Sequence, residues 1–325
     1  MDDVAAKAGV SRALVSLVMR DSPRVSAASR EKVRAAAAEL GYRPNLWARN
    51  LASGQTHTIG VMVNDLHNPY FTEMAQAVAE VAGGSGLQVL LNSGWQREDG
   101  EISAIEALLS LRIDGMVLGG PRLSAKVLDK YADQAPTVIV SNYDRPETFD
   151  TVCNDETQGA RLIVDHLNEL GHVRVAHIDA GEGAGGPERR SGFIEAMTDR
   201  GLAPIVVEGD FKEDAGYKAA SQLMSLREPP TAIYAGNDVA AIGVLAYLGS
   251  VGVRVPEDVS VVGYDDTALA GISTVSLTTV NQPRPQVGRR AMELLLERMS
   301  GRTEARHELI EPSLVVRSST GPAAN

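Results

Sequence analysis

Two residues of opposite charge, Arg189 and Asp265, stand where apolar runs give way to loop, and a charge placed there needs a partner. An arginine fork can donate a bidentate pair to hydroxyls or a carboxylate, and an aspartate accepts from hydroxyls. Asn237 and Asp238 follow the run TAIYAG; the short acid Asp238 reads better as a helix cap than as a ligand contact. Asp155, like Asn237, is a further candidate for ligand contact. Trp95 follows LQVLL and offers a flat face on which a sugar ring could stack. No catalytic constellation accompanies these groups. The six histidines have no metal-ligand spacing, and no GxSxG is present, so neither a metal nor a cofactor is expected. Gly181-x-Gly183-x-x-Gly186 follows an apolar run, and Glu208 ends the next one, which is formally a dinucleotide-binding fingerprint. The alternative it opens is an NAD-dependent oxidoreductase. Against it, Pro187-Glu188 falls where a helix would open on pyrophosphate, and Glu188 would repel the phosphates.

A second chemistry is concentrated at the amino end. Residues 1–54 hold nine basic residues against five acidic ones, a net +4, which leaves −15 of the chain's −11 on the remainder. A basic small domain on an acidic body suits a phosphate-binding head on a carrier. The spacing predicts a helix over Asp3–Ala8, a turn at Gly9-Val10, a second helix capped by Ser11, and a third over Ala27–Leu40 capped by Ser26. Asp2 or Asp3 is expected to cap the first. Val15 and Val18, with Leu14, form an apolar stripe, which frees Arg12, Ala13, Ser16 and Leu17 to face outward. Small residues around Gly9 let the first two helices cross closely, as in a helix-turn-helix. Spacing alone also fits any small three-helix domain.

Positioning such groups requires a large framework, and 325 residues at 44% hydrophobic supply one. Strand-like runs lie at 59–63, 87–91, 115–119 and 137–141, then at 173–178, 204–208, 231–235 and 259–264, with SLVVRSS last. Amphipathic stretches separate them. Apolar runs of this length between helices imply an α/β body of two doubly wound parallel sheets, with ligand between them at the strands' carboxyl ends. Cys153 is the single cysteine, which excludes an internal disulfide and fits a reducing cytosol. No apolar run approaches the roughly 20 residues that span a membrane, and no secretory signal is visible, so no membrane partner is expected. A free periplasmic sugar-binding protein would need that signal.

The run DVAAKAGVSRALVS, then VSAASREKVRAAAAELGYRPNLWARNLASGQTHTIGVMV, closely resembles the headpiece, hinge and first core strand of the LacI/GalR (lactose-repressor) family of bacterial transcription regulators. The resemblance extends over essentially the whole chain. It implies a helix-turn-helix headpiece at 1–44, a hinge helix and linker at 45–55, and a periplasmic-binding-protein-like core at 56–325. The first lobe would take 56–157 and 284–310, the second 158–283 and 311–320. Family members carry a few more residues before the DVA run, including a Thr or Ser cap.

The resemblance makes the second helix the major-groove reader. Arg12 and Ala13 match the main base-reading positions; an arginine takes guanine bidentately, and Ala13 could meet a thymine methyl. Ser11 and Ser16 suit phosphate or cap roles, and Leu14 belongs to the same DNA-binding segment. Leu17 departs from the family, where an arginine is common. In the hinge, Asn45, Ala48 and Leu51 are implied DNA contacts, with Leu51 matching the leucine that wedges between base pairs. By residue type alone, Leu51 and Trp47 read as linker anchors. Tyr70, Phe71 and Phe211 are implied pocket aromatics. Arg189 fits the RxxGF run that ends at Phe193, and Asp265 matches the acid that takes paired hydroxyls in sugar-responsive members. Phe193 and Tyr264 are expected in the core. The partners implied are palindromic operator DNA, a sugar-like effector and a second copy of the chain in a bacterial cytoplasm, at the nucleoid. No heptad tail is present to build a tetramer.

Overall fold

The computed structural model describes all residues except 20–21, 43–55, 142, 145 and 325. The chain divides into two compact units, Met1–Thr56 and His57–Asn325. The first contains α1 (Asp2–Ala8), α2 (Arg12–Met19) and α3 (Ala27–Glu39) around Val4, Val15, Val18, Val33 and Ala36. Gly9 ends α1 at φ 65°, a left-handed conformation that lets the chain turn sharply into α2. Ser11 Oγ accepts the Leu14 N–H at 3.2 Å, and Ser26 Oγ accepts that of Ser29 at 3.3 Å. The cap expected of Asp2 or Asp3 is not formed. Met1 holds the cap position and both acids lie in the first turn, where they still face the positive end of the helix.

The second unit carries two six-stranded sheets. In the first lobe, β1 (Thr58–Val63), β2 (Gln88–Ser93), β3 (Gly115–Gly119), β4 (Thr137–Val140), β5 (Asp150–Asn154) and β11 (His307–Ile310) run in the order β11-β5-β4-β3-β1-β2, all parallel. In the second, β6 (Val175–Ile178), β7 (Ile205–Val207), β8 (Ala232–Ala235), β9 (Ser260–Asp265), β10 (Thr278–Asn281) and β12 (Ser313–Val315) run in the order β12-β10-β9-β8-β6-β7. There the edge strand β12 is antiparallel to β10, an exception to the all-parallel expectation.

Each sheet is covered on both faces, which is why most of its central strands are apolar. Along β1, Ile59, Val61 and Val63 face α4 (Pro69–Gly84) and α11 (Arg284–Met299), while Met62 faces α5 (Glu98–Ser110). In the second lobe, Ile233 and Val261 face α9 (Glu213–Met224) and α10 (Asp238–Ser250); Tyr234, Val262 and Tyr264 face α7 (Glu156–Glu169) and α8 (Gly186–Asp199). A short helix, α6 (Ala125–Leu128), lies between β3 and β4. β5 leads directly to α7 of the other lobe, β10 to α11, and β11 to β12, so the chain passes between lobes near 155, 282 and 311.

Candidate functional site

The carboxyl ends of β1, β4 and β9 meet at one pocket between the lobes, where doubly wound sheets bind their ligands. That pocket has about 410 Å³, counting the open space at its mouth. The first lobe lines it with Asn64, Asp65, Asn68, Tyr70, Phe71, Gln96 and Ser141; the second contributes Ala184, Arg189, Phe211 and Asp265. The fold thus brings Tyr70, Phe71, Arg189, Phe211 and Asp265 around one space.

Arg189 is buried at 4% exposure, and its donors already have protein partners. Nε and Nη2 donate to the Glu156 carboxylate at 2.8 and 3.3 Å, and Nη1 donates to the Gly236 carbonyl at 2.6 Å. The guanidinium lies 4.0 Å above the centre of the Tyr264 ring and 5.5 Å from that of Phe211. It therefore does not present the free bidentate pair its sequence position suggests. Burial works against its charge, but Glu156 and Asp265 outweigh that and hold it protonated well above the ordinary range.

Asp265 is 2% exposed and sits at φ 113°, a backbone region costly for any residue but glycine. Gln282 Nε2 donates to its Oδ1, and Arg189 Nη2 stands 3.9 Å away. Burial pushes the carboxyl pKa up and Arg189 pulls it down; the net direction is up. Gln282 belongs to the crossover after β10. Its amide oxygen takes a hydrogen bond from Asn154 Nδ2, which also donates to the Tyr70 hydroxyl at 3.1 Å. Tyr143 donates to Glu156 Oε1 at 2.9 Å. A continuous polar chain thus runs from the first lobe through the crossovers to Arg189.

The remaining candidates hold neighbours in place. Asn237 caps α10: its Oδ1 accepts the Ala240 N–H at 2.8 Å and its Nδ2 donates to the Phe211 carbonyl at 3.3 Å. Asp238, expected as that cap, lies one position inside the helix, where its carboxylate accepts from Thr267 and Thr279. Asp155 caps α7, accepting the Gln158 N–H at 2.9 Å. Trp95 is 62% exposed and does not line the pocket; its neighbour Gln96 does. Both adopt left-handed backbone, at φ 55° and 57°. Phe193 and Tyr264 are fully buried, as core residues. Glu156, Asn154 and Gln282 escaped the sequence reading. Glu156 in DET reads as an ordinary first-turn acid, and nothing local says that an arginine 33 residues on will reach it.

The glycine motif serves packing. A Cβ on Gly183 would stand 2.6 Å from the Phe211 ring, and one on Gly186 would meet the Gly181 carbonyl, so this loop folds tightly on itself and over Phe211.

On the headpiece, Arg12, Ala13 and Leu17 are exposed, Ser16 is half-buried, and Leu14 is half-buried against the headpiece core. Arg12 Nη1 lies 3.6 Å from Asp2 Oδ2 in a solvent-exposed pair, weak enough to be exchanged for another anion. Asn45, Ala48 and Leu51 lie outside the described residues.

The geometry of both units is matched by known proteins. Residues 1–45 match the model described as bacterial regulatory proteins, lacI family, and residues 164–320 match the periplasmic binding protein-like domain. The HTH-type transcriptional repressor CytR of Escherichia coli K12 is 35% identical over 332 residues, covering 98% of this chain and 96% of that protein. PurR of Vibrio atlanticus is 35% identical, covering 98% and 97%. The crystal structure of the lac repressor dimer bound to operator and the anti-inducer ONPF superposes with a TM-score of 0.88 at 30% identity, covering 98% of each chain. A CelR–cellobiose complex gives 0.75 at 31% identity, again with 98% of each chain covered. No described helix is long and apolar enough to cross a membrane. By its head, its two-lobed core and this similarity along nearly its full length, the chain belongs to the LacI family of bacterial transcriptional regulators.

Proposed function

We propose that this regulator is a dimeric repressor that grips a palindromic operator with two headpieces and changes its grip when a small molecule enters the cleft. The observation that carries the reading is the exposed face of α2, with Arg12, Ala13 and Leu17 outward on a basic domain, joined to a core whose lobes meet over buried charges. Arg12 would take a guanine in the major groove, and Ala13 a neighbouring methyl group. Leu51 and the hinge at 45–55 would form paired helices in the minor groove only when two copies meet, because so short a helix does not hold alone. The lac repressor dimer on operator and the CelR–cellobiose complex support the same partners here: DNA, a second copy and a sugar-like effector. The protein has no catalytic role in this reading and works in the cytoplasm. The test is binding of the full chain to promoter fragments from its own gene neighbourhood and to shuffled duplexes. One fragment should bind at least about a hundredfold tighter than the shuffled set. Arg12→Ala should lose about tenfold of that preference. Equal binding to all duplexes would overturn the proposal.

A further inference from the structure

Asp265 and its neighbour Asp266 face different spaces. Asp265 lines the cleft pocket, whereas Asp266 opens on a separate groove beside Glu73, Arg284 and Arg317. Both acids sit at positive φ, 113° and 53°, so the surroundings must hold this turn in place. The Asp266 N–H donates to Thr279 Oγ1 at 3.3 Å, and Arg317 Nη2 donates to Asp266 Oδ1 at 2.7 Å. Those two partners belong to the same lobe as Asp266. A third does not: the Asp266 carbonyl accepts from Arg284 Nη2 at 2.6 Å, and Arg284 opens α11 in the first lobe. Arg284 is 7% exposed. Its Nε donates to Glu73 Oε2 on α4 at 2.9 Å, and its Nη1 donates to the Gln282 carbonyl at 3.3 Å. One guanidinium therefore bonds α4, a crossover and the second lobe. Behind it, α4 and α11 are locked backbone to backbone, because a Cβ on Gly288 would press into the Met74 carbonyl.

We propose that Arg284, backed by Glu73, is the positioning residue that sets the angle between the lobes and ties the turn carrying Asp265 to α4. A two-lobed body turns about its crossovers, and a bond two residues from one of them governs the rotation of everything beyond it. The planar fork is essential to the role. It directs three bonds at fixed angles, with the Glu73 carboxylate orienting the end that reaches the Asp266 carbonyl. An ammonium on a flexible stem carries the same charge but has one centre, so it holds Glu73 or the carbonyl and not the whole set. The inference concerns the core alone. Its consequence, that a shift of the turn beside the cleft is passed to α4, rests on the regulator reading.

The experiment reads the distance between two nitroxide labels by pulsed electron–electron resonance on the full chain, without DNA or ligand. The labels are carried by Lys126→Cys and Arg227→Cys, exposed positions on the first and second lobes; the chain's own Cys153 is buried. Labelled chain is diluted into excess unlabelled chain, so that only distances within one copy are read. Arg284→Met should widen the interlobe distance distribution about twofold or more, and Arg284→Lys should fall between it and the unsubstituted chain. Glu73→Gln, at a partly exposed position that tolerates the change, should widen it as well and carries the test should Arg284→Met fail to fold. A control pair inside the first lobe, at Lys126 and the exposed Ser85, should keep its width in every variant. A distribution that stays as narrow in Glu73→Gln and in a folded Arg284→Met as in the unsubstituted chain would overturn the proposal. So would equal widening of the control pair, which marks a merely structural residue, or a lysine that serves as well as the arginine. Operator preference is scored separately, so failure of the regulator reading is distinguishable from failure of this one.

Discussion

Glu156 and Arg189 form an ion pair with side chains 1% and 4% exposed, and removing one partner of such a pair leaves a charge buried and unmatched. Glu156→Gln should therefore destabilise the core by about 3 kcal/mol, read from the urea midpoint, with headpiece helicity unchanged. His177 is a second buried group with a measurable signature. It is fully buried against Tyr234, 4.2 Å between ring centres, and burial lowers its pKa from 6.5 to about 4. Between those values the unfolded chain binds a proton that the folded chain does not, so this residue's contribution to stability is lost as pH falls below 6.5. It should weaken the core by about 1.5 kcal/mol between pH 6.5 and 5, and His177→Phe should flatten that part of the pH profile. An unchanged slope in the variant would show that another group titrates there.

At the scale of elements, α9 and α10 pack backbone to backbone through glycine. A Cβ on Gly243 would press into the Glu213 carbonyl and the Tyr217 N, and one on Gly216 into the Ala240 carbonyl. Backbone cannot yield as a flexible side chain does, so Gly243→Ala should cost about 3 kcal/mol, against about 1 kcal/mol gained where a solvent-facing helical glycine such as Gly249 is replaced. Thermal denaturation of the two variants checks both signs. The eight strands recognised at the outset share one property: they are apolar on both faces and bounded by turns, as parallel strands between helix layers must be. β5 (DTVCN) and β10 (TTVN) are equally buried yet polar in composition, because they border the crossovers and their side chains serve other residues. Asp150 of β5 pairs with Arg298 and Arg302, and Thr279 of β10 bonds Asp238. Periodicity cannot reveal strands recruited for polar work. β11 (HELI) is a short half-exposed edge, which looks like loop. The pocket lining was legible where a charge followed a readable strand, as at Asp265, and where the family resemblance pointed to it, as at Tyr70. The site was illegible where the partner arrived from a distant crossover, as with Glu156, Asn154 and Gln282.

For the whole molecule, the proposed function divides the labour between head and core. Leu51→Ala should weaken operator binding tenfold or more and leave effector affinity intact, because in that proposal Leu51 is an apolar wedge that acts only on DNA. Asp265→Ala should abolish the effector's influence while operator binding persists. Sedimentation at working concentration should give a dimer, since a two-fold operator is matched by a two-fold protein. Coupling between the sites, in the proposed reading, requires that the effector bind the two arrangements of the core with different affinity, and hydrogen bonds link Tyr70 through Asn154 and Gln282 to Asp265 across the crossovers. The most direct measurement is operator affinity, by fluorescence anisotropy of a labelled fragment, with and without a sugar-like compound that raises the melting temperature. The expected result is a change of about five- to 150-fold in Kd, lost in Asp265→Ala. An operator Kd that stays the same while the compound saturates the cleft would contradict the account.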